Sequence, residues 1–300
     1  MNLFVDIEIE PQSEKIVNVA SVPQRSPFRY PGGKTWLVPI VRKWLKTRKA
    51  NELIEPFAGG GIISLTVAFE ELTNRVTMVE CDDQVAAVWE TIFSGGAQKL
   101  AEHIVNFSMT LDNVQSVLSK TDMSREDLAF QTILRNRVNH GGILAPGSGL
   151  LKHGENGKGL KSRWYADTLY RRITNINHIR NRVSFVHGDG MKVMQDNREK
   201  TDTVYFIDPP YTAAGKKAGS RLYTHSELDH EHLFQIAAGV AGDFLMTYDN
   251  AGGVQELARK HNFDLEPVSM KNTHHAEMTE LLIGRDLDWV RRNSPRQIAS

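Results

Sequence analysis

The chain of 300 residues has one cysteine, Cys81, no apolar run of membrane-spanning length and no net charge, its 36 basic residues being balanced by 36 acidic ones. A single cysteine excludes an internal disulfide framework and any cysteine-built zinc cluster. Cys81 stands between Glu80 and Asp82 and has no cationic neighbour in sequence to favour a thiolate, so it reads as a small buried filler. Without a long apolar run no membrane-spanning helix is expected. The acidic N-terminus lacks the basic-then-apolar layout of a signal peptide, so a cytoplasmic protein is expected. Internal repeats and low-complexity tracts are also missing. What remains is the composition of an ordinary soluble domain, long enough for a substantial core.

Zero net charge does not mean an even distribution. Residues 21–50 carry eight Lys/Arg and no acid, residues 51–100 two bases and eight acids, and residues 121–200 fourteen bases and eight acids. Two basic segments separated by an acidic one can form a cationic face for phosphates without a high isoelectric point, although ordinary solvated surface gives the same count.

The order of elements predicts an α/β fold with a doubly wound, mostly parallel sheet. Glu52–Phe57 reads as a first strand, followed by a glycine turn and a helix through Leu72. Val76–Val79 and Gln84–Phe93 repeat the strand–helix pair. From Ser94 to Ile179 the signals are helical or loop-like, with a glycine-rich stretch at Gly141–Lys161. Strands resume at Val183–Val186, Thr203–Ile207 and Asp243–Thr247, then near Leu265–Met270 and Glu280–Ile283. The organisation expected is a leader at 1–24, a catalytic domain at 25–94 and 180–285, a helical insertion at 95–179 and a tail at 286–300.

Three motifs carry chemistry. The apolar strand at 203–207 ends in Asp208-Pro209-Pro210-Tyr211. The prolines cannot donate a hydrogen bond and hold the turn in a narrow φ range, so a carboxylate, fixed carbonyls and an aromatic face meet at a strand end. That combination suits a planar group bearing an amine, such as a nucleobase. The second motif is Phe57-Ala-Gly59-Gly60-Gly61, a turn that lets the backbone approach a cofactor closely, with Glu80 twenty-one positions after Gly59 where an acid can accept from ribose hydroxyls. Ser64 replaces the last glycine of the dinucleotide fingerprint, and both NAD and S-adenosylmethionine use this layout. The third is Tyr30-Pro31-Gly32-Gly33-Lys34. Phe28 stands where a phosphate-binding loop needs its first glycine, so a triphosphate site is rejected. The Gly-Gly turn with Tyr30 and Lys34 can instead close over a cofactor carboxylate.

In this order the motifs resemble the D12 class of DNA adenine-N6 methyltransferases, the DNA adenine methylase family. The likeness rests on Tyr30–Lys34, Glu55–Gly61 and Asp208–Tyr211, and extends to Asn136-Arg137 and Leu245-Met-Thr-Tyr248. The resemblance implies a methyltransferase fold with a target-recognition insertion, S-adenosylmethionine as methyl donor and S-adenosyl-L-homocysteine as product; no metal is expected, because His274-His275 and His225, His230 and His232 lack a surrounding acidic or cysteine pattern. It implies cofactor contacts by Tyr30, Gly32, Gly33, Lys34, Phe57, Gly59, Gly61, Glu80, Asp189 and Asp208, with Asp189 near the adenine unless it merely caps a turn. Asp208, Pro209, Pro210 and Tyr211 are the implied catalytic residues. Double-stranded DNA is the implied partner, together with a restriction endonuclease where the enzyme is half of a restriction–modification pair, in a prokaryote or phage.

The recognition part departs from the family pattern. After Asn136-Arg137 the chain reads Val138-Asn-His-Gly-Gly-Ile143, so His140 falls where a wedging aromatic is expected. The target sequence therefore does not carry over. Arg137, His140, Lys152, Lys158, Lys161 and Arg163 in the insertion, and Lys216, Lys217 and Arg221 after the catalytic motif, are the expected DNA contacts; solvated surface charge is the alternative for each. An RNA adenine methyltransferase, and a non-catalytic nucleic-acid-binding protein on the same scaffold, are the competing readings. A nicotinamide oxidoreductase would leave Asp208–Tyr211 unexplained.

Overall fold

A computed structural model describes residues 21–29, 33–145, 148–151, 154, 157–210, 228–271 and 277–291. Seven strands form one sheet: β1 (Glu52–Glu55), β2 (Arg75–Glu80), β3 (Val183–His187), β4 (Thr203–Ile207), β5 (Asp243–Asp249), β6 (Asp264–Lys271) and β7 (Glu277–Gly284). Their spatial order is β3-β2-β1-β4-β5-β7-β6. The first five run parallel, and β7 lies antiparallel between β5 and β6. The order reverses at β1, between β2 and β4, and a doubly wound sheet opens its ligand crevice at such a switch point, beyond the carboxyl ends of the strands.

Strand residues alternate between two cores because successive side chains leave a strand on opposite faces. Leu53, Val76, Met78, Val204, Phe206 and Leu245 enter one apolar cluster; Ile54, Val79, Tyr205, Ile207, Phe244 and Met246 enter the other. Both faces are therefore covered, which is why these strands read as nearly unbroken apolar runs.

The first face packs against α1 (Val38–Lys46), α2 (Ile62–Phe69) and α3 (Asp83–Thr91). Four helices of the long segment between β2 and β3 share that core: α4 (Ala97–Asn106), α5 (Leu111–Leu118), α6 (Arg125–Val138) and α7 (Ala166–Ile176). Leu100, Ile104, Phe130, Ile133, Leu134, Leu169 and Ile173 all contribute to it. The segment is an insertion in sequence, yet it adds to one continuous core. The second face packs α8 (Gly190–Asp196), α9 (His230–Gly239) and α10 (Gly252–Lys260). Asp82, Thr110, Ser124, Asp189 and Asp229 each accept from a first-turn N–H and fix the starts of α3, α5, α6, α8 and α9.

Three expectations change. The first strand stops at Glu55 rather than Phe57, since Pro56 has no N–H to extend the ladder. The second helix ends at Phe69, and Glu71 follows with φ +53°, a left-handed conformation that closes the helix before Leu72. The segment from 286 is no loose tail at its start: Leu287 and Trp289 are buried, and Arg291 of α11 (Asp288–Arg291) pairs with Asp264 and Glu266. No helix among the described residues is long and apolar enough to cross a membrane.

Candidate functional site

The carboxyl ends of β2, β1 and β4 stand side by side, and each delivers an acidic residue: Glu80, Glu55 and Asp208. From β1 the chain enters the turn Pro56–Gly61, where Gly59 and Gly61 have φ +47° and +63°. The left-handed angle at Gly61 favours glycine, and a Cβ there would lie 2.5 Å from the terminal methyl of Met78, which would have to shift. The Gly59 carbonyl accepts from Nε1 of buried Trp89 at 2.9 Å. Its N–H donates to Glu80 Oε2 at 2.8 Å.

Glu80 thus organises the loops before it meets any ligand. Its Oε1 also accepts from the N–H groups of Cys81 and Asp82, each at 2.9 Å. A carboxylate has about four acceptor positions; these three bonds leave one for a hydroxyl. Burial raises the Glu80 carboxyl above its ordinary range, and the backbone donors oppose that shift. Asp189 is exposed at the end of β3, with Oδ1 capping α8 through the Met191 N–H at 2.8 Å. Phe57 is half-buried beside the turn.

Cys81 corrects the sequence reading: it is exposed at this rim, not a buried filler. Partial desolvation and the carboxylates of Glu80 and Asp82 push its thiol up to about 12, so it stays protonated at neutral pH.

Across β1, Asp208 sits beyond the end of β4, half-buried, with Pro209 buried behind it. The register that pairs Ile207 with Met246 puts Asp208 beside Thr247, whose Oγ1 donates to Asp208 Oδ1 at 2.9 Å. Lys34 Nζ approaches the same oxygen at 3.3 Å and Glu280 Oε2 on β7 at 2.8 Å. Burial alone would lower the Lys34 ammonium, but Asp208 and Glu280 outweigh it and hold the pKa above its ordinary value. Glu280 is pushed up to about 7, burial outweighing Lys34's pull.

Glu55 lies beneath this group, fully buried, and accepts from the Ser64 N–H at 3.0 Å. Burial pushes it up to about 8, with Asp208 and Glu80 adding repulsion. At neutral pH Glu55 therefore carries its proton. Sequence reading assigned no role to Glu55, Thr247 or Glu280. The available signal was a charged residue within or at the end of an apolar strand, as in Glu280-Leu-Leu-Ile and Leu-Ile-Glu55. Further back, Tyr248 OH meets Nδ1 of His230 at 2.9 Å, and burial raises the phenol.

Gly33 and Lys34 are brought to the site, while Tyr30, Gly32 and Tyr211 lie outside the described residues. The backbone leading to that turn is clamped by the insertion. Asn136 Oδ1 accepts from the Arg29 N–H at 2.8 Å, and its Nδ2 donates to the Arg29 carbonyl at 2.9 Å. Arg172 donates to the Ser26 carbonyl at 2.9 Å, and Arg137 to that of Pro27.

Arg137, expected on a DNA-facing surface, is instead 4% exposed. Burial, with Arg172 and Arg29 nearby, lowers its guanidinium to about 9. Its place is inside the junction because helix α6 turns that face onto the 26–29 segment. His140, Lys158 and Lys161 are exposed, and Arg163 is half-buried. Lys158 and Lys161 border a cavity of about 520 Å³ with Met109, Leu111, Leu150 and Leu160. Lys152, Lys216, Lys217 and Arg221 lie outside the described residues.

The donor set fits an adenosine-bearing cation: a carboxylate at the β2 end, a second acid at the β3 end, and left-handed glycines between them. A family model of the D12 class N6 adenine-specific DNA methyltransferases matches residues 30–136. The Type II methyltransferase M1.LlaDCHI of Lactococcus lactis subsp. cremoris is 21% identical over 279 residues, spanning 86% of this chain and 94% of that protein. Solved structures that align include the rRNA methyltransferase aviRa of Streptomyces viridochromogenes, with TM-score 0.41, 11% identity and coverage of 88% and 89% of the two chains. Another is the precorrin-6y C5,15-methyltransferase of Geobacter metallireducens GS-15, with TM-score 0.38, 10% identity and coverage of 83% and 85%. Over residues 30–136 the chain is similar to the D12 class of N6 adenine-specific DNA methyltransferases, and over most of its length to a Type II methyltransferase.

Proposed function

We propose that the enzyme transfers a methyl group to N6 of an adenine that has been swung out of duplex DNA. The observation that carries this reading is the placement of Asp208: a carboxylate held by Lys34 and Thr247 at the strand end next to the glycine turn. A group that accepts amine hydrogens thereby adjoins the loop that would hold the methyl donor. N6 of a paired adenine is engaged in the base pair, so the base must leave the stack to reach such a crevice.

Bound S-adenosylmethionine supplies a methyl group on a positively charged sulfur. Glu80 keeps one acceptor position for a ribose hydroxyl while fixing the glycine turn, and Asp189 borders the adenine side. The adenine amine is a poor nucleophile because its lone pair is delocalised into the ring. Asp208 and the Pro209 carbonyl accept its two N–H groups and favour a tetrahedral nitrogen with an available lone pair. With the donor bound, the nitrogen would take the methyl group as the neutral thioether leaves, and Asp208 would accept the surplus proton and pass it to water. Tyr211 stacks on the base, and His140, Lys158 and Lys161 contact the nucleic acid from the insertion. Rate comes from alignment and fixed charge, with no covalent enzyme intermediate.

Nucleoside mass spectrometry after incubation with labelled S-adenosylmethionine tests the reading, using duplex DNA and an RNA of matched sequence. Labelled N6-methyladenine in the DNA arm is expected. Label confined to RNA, or to a base other than adenine, would contradict it.

A further inference from the structure

Glu280 is a buried acid in an apolar stretch, followed on β7 by Leu281-Leu282-Ile283. The register sets it opposite Asp249 on β5 and Val268 on β6. Thr247, two residues before Asp249, leaves β5 on the same face. Among the described residues, the charged groups around Glu280 are Lys34 from the segment entering α1, Asp208 from the end of β4, and Asp249 from β5. Glu266, farther along β6, is engaged by Arg291 at 2.9 Å.

Lys34 is shared unequally: 2.8 Å from Glu280 and 3.3 Å from Asp208. Its side chain is only 5% exposed, so bulk water does not replace either carboxylate around the ammonium. An ammonium moving fully onto Asp208 would compete with an amine for the same lone pairs. Thr247 holds Oδ1 of Asp208 but, being neutral, does not hold Lys34 back.

We propose that Glu280 is a positioning residue for methyl transfer: by taking the shorter ion pair with Lys34 it draws that ammonium away from Asp208 and keeps the Asp208 carboxylate available to the target amine. This rests on the reading of Asp208 as the amine's acceptor. Ionised Glu280 is the competent form. Once it is protonated, Asp208 becomes the stronger partner for Lys34. Because burial pushes the Glu280 carboxyl up to about 7, the competent fraction grows as pH rises through neutrality.

The test is single-turnover methyl transfer to duplex DNA across about pH 6 to 9 by the unaltered enzyme, Glu280→Gln and Glu280→Asp, with cofactor affinity measured for each by calorimetry. The unaltered rate is expected to rise through neutral pH. Glu280→Gln should transfer roughly tenfold or more slowly at alkaline pH, lose that rise and keep its cofactor affinity within about threefold. Glu280→Asp should recover part of the rate and the pH dependence, and it carries the test should the glutamine variant fail to fold. An unchanged profile in the folded glutamine variant, or a loss wholly explained by weaker cofactor binding, would overturn the proposal. Absence of transfer by the unaltered enzyme would instead overturn the underlying reading of Asp208, and this inference with it.

Discussion

Lys34 and Glu280, 246 positions apart in sequence, form a buried ion pair of 2.8 Å that ties the segment entering α1 to the antiparallel strand β7. Lys34 reaches Asp208 from the same position, so the pair joins the segment entering α1, the β4 end and strand β7 in one electrostatic unit. Removing Lys34 leaves two carboxylates in a poorly solvated space. Lys34→Met is expected to cost about 3–5 kcal/mol of stability. Urea denaturation near pH 8 measures it; a loss below about 1 kcal/mol would mean that the ion pair is weakly coupled to the fold.

Three backbone N–H groups rely on Glu80, and the proposed function adds a ribose hydroxyl to them. Glu80→Ala is expected to weaken cofactor binding by roughly tenfold or more and to speed amide exchange at Gly59, Cys81 and Asp82. Calorimetry and hydrogen exchange report the two effects separately. Unchanged affinity with faster exchange would confine Glu80 to supporting the loop.

Gly61 combines φ +63° with contact against Met78 and Trp89. Gly61→Ala is expected to destabilise the protein by about 1–3 kcal/mol. Chemical denaturation checks this, and a neutral result would show that the turn relaxes easily.

Glu55 titrates in the folded protein at about 8, against 4.5 ordinarily. Between those values the folded state holds a proton that the unfolded chain has lost, so stability falls as pH rises. The favourable contribution is complete below about pH 4.5 and is gone once pH passes about 8. Glu280, at about 7, has the same sign over a narrower window. Glu55→Gln, which cannot ionise, is expected to lose less stability between about pH 6 and 9, the gain at the alkaline end being on the order of a few kcal/mol at most. Denaturant titrations at several pH values measure the slope. Equal slopes in both proteins would contradict a buried, protonated Glu55.

The framework was legible because each of its parts follows a local rule. Strand β4 announces itself by five apolar or β-branched residues stopped by Asp-Pro-Pro, and the glycine turn by its place between strand and helix. Boundaries shifted where one residue overrode the pattern, as Pro56 did for β1 and Glu71 for α2. The electrostatics of the site were hidden for a different reason. Lys34, Asp208 and Glu280 belong to segments far apart in sequence: the pairing of β5 with both β4 and β7 brings Asp208 and Glu280 together, and Lys34 reaches them from the segment entering α1. Arg137 was misread because its charge suggests solvent, whereas the face it occupies on α6 is set by the neighbouring 26–29 backbone. Cys81 was misread in the opposite direction, as the open rim beyond β2 leaves it exposed.

Single-turnover methyl transfer by Asp208→Asn tests the central claim most directly, because asparagine keeps the shape of the side chain while removing the charge and one acceptor oxygen. With duplex DNA and labelled S-adenosylmethionine, transfer is expected to fall by roughly a hundredfold or more while the cofactor still binds. A variant that methylates adenine at the unaltered rate would contradict the account.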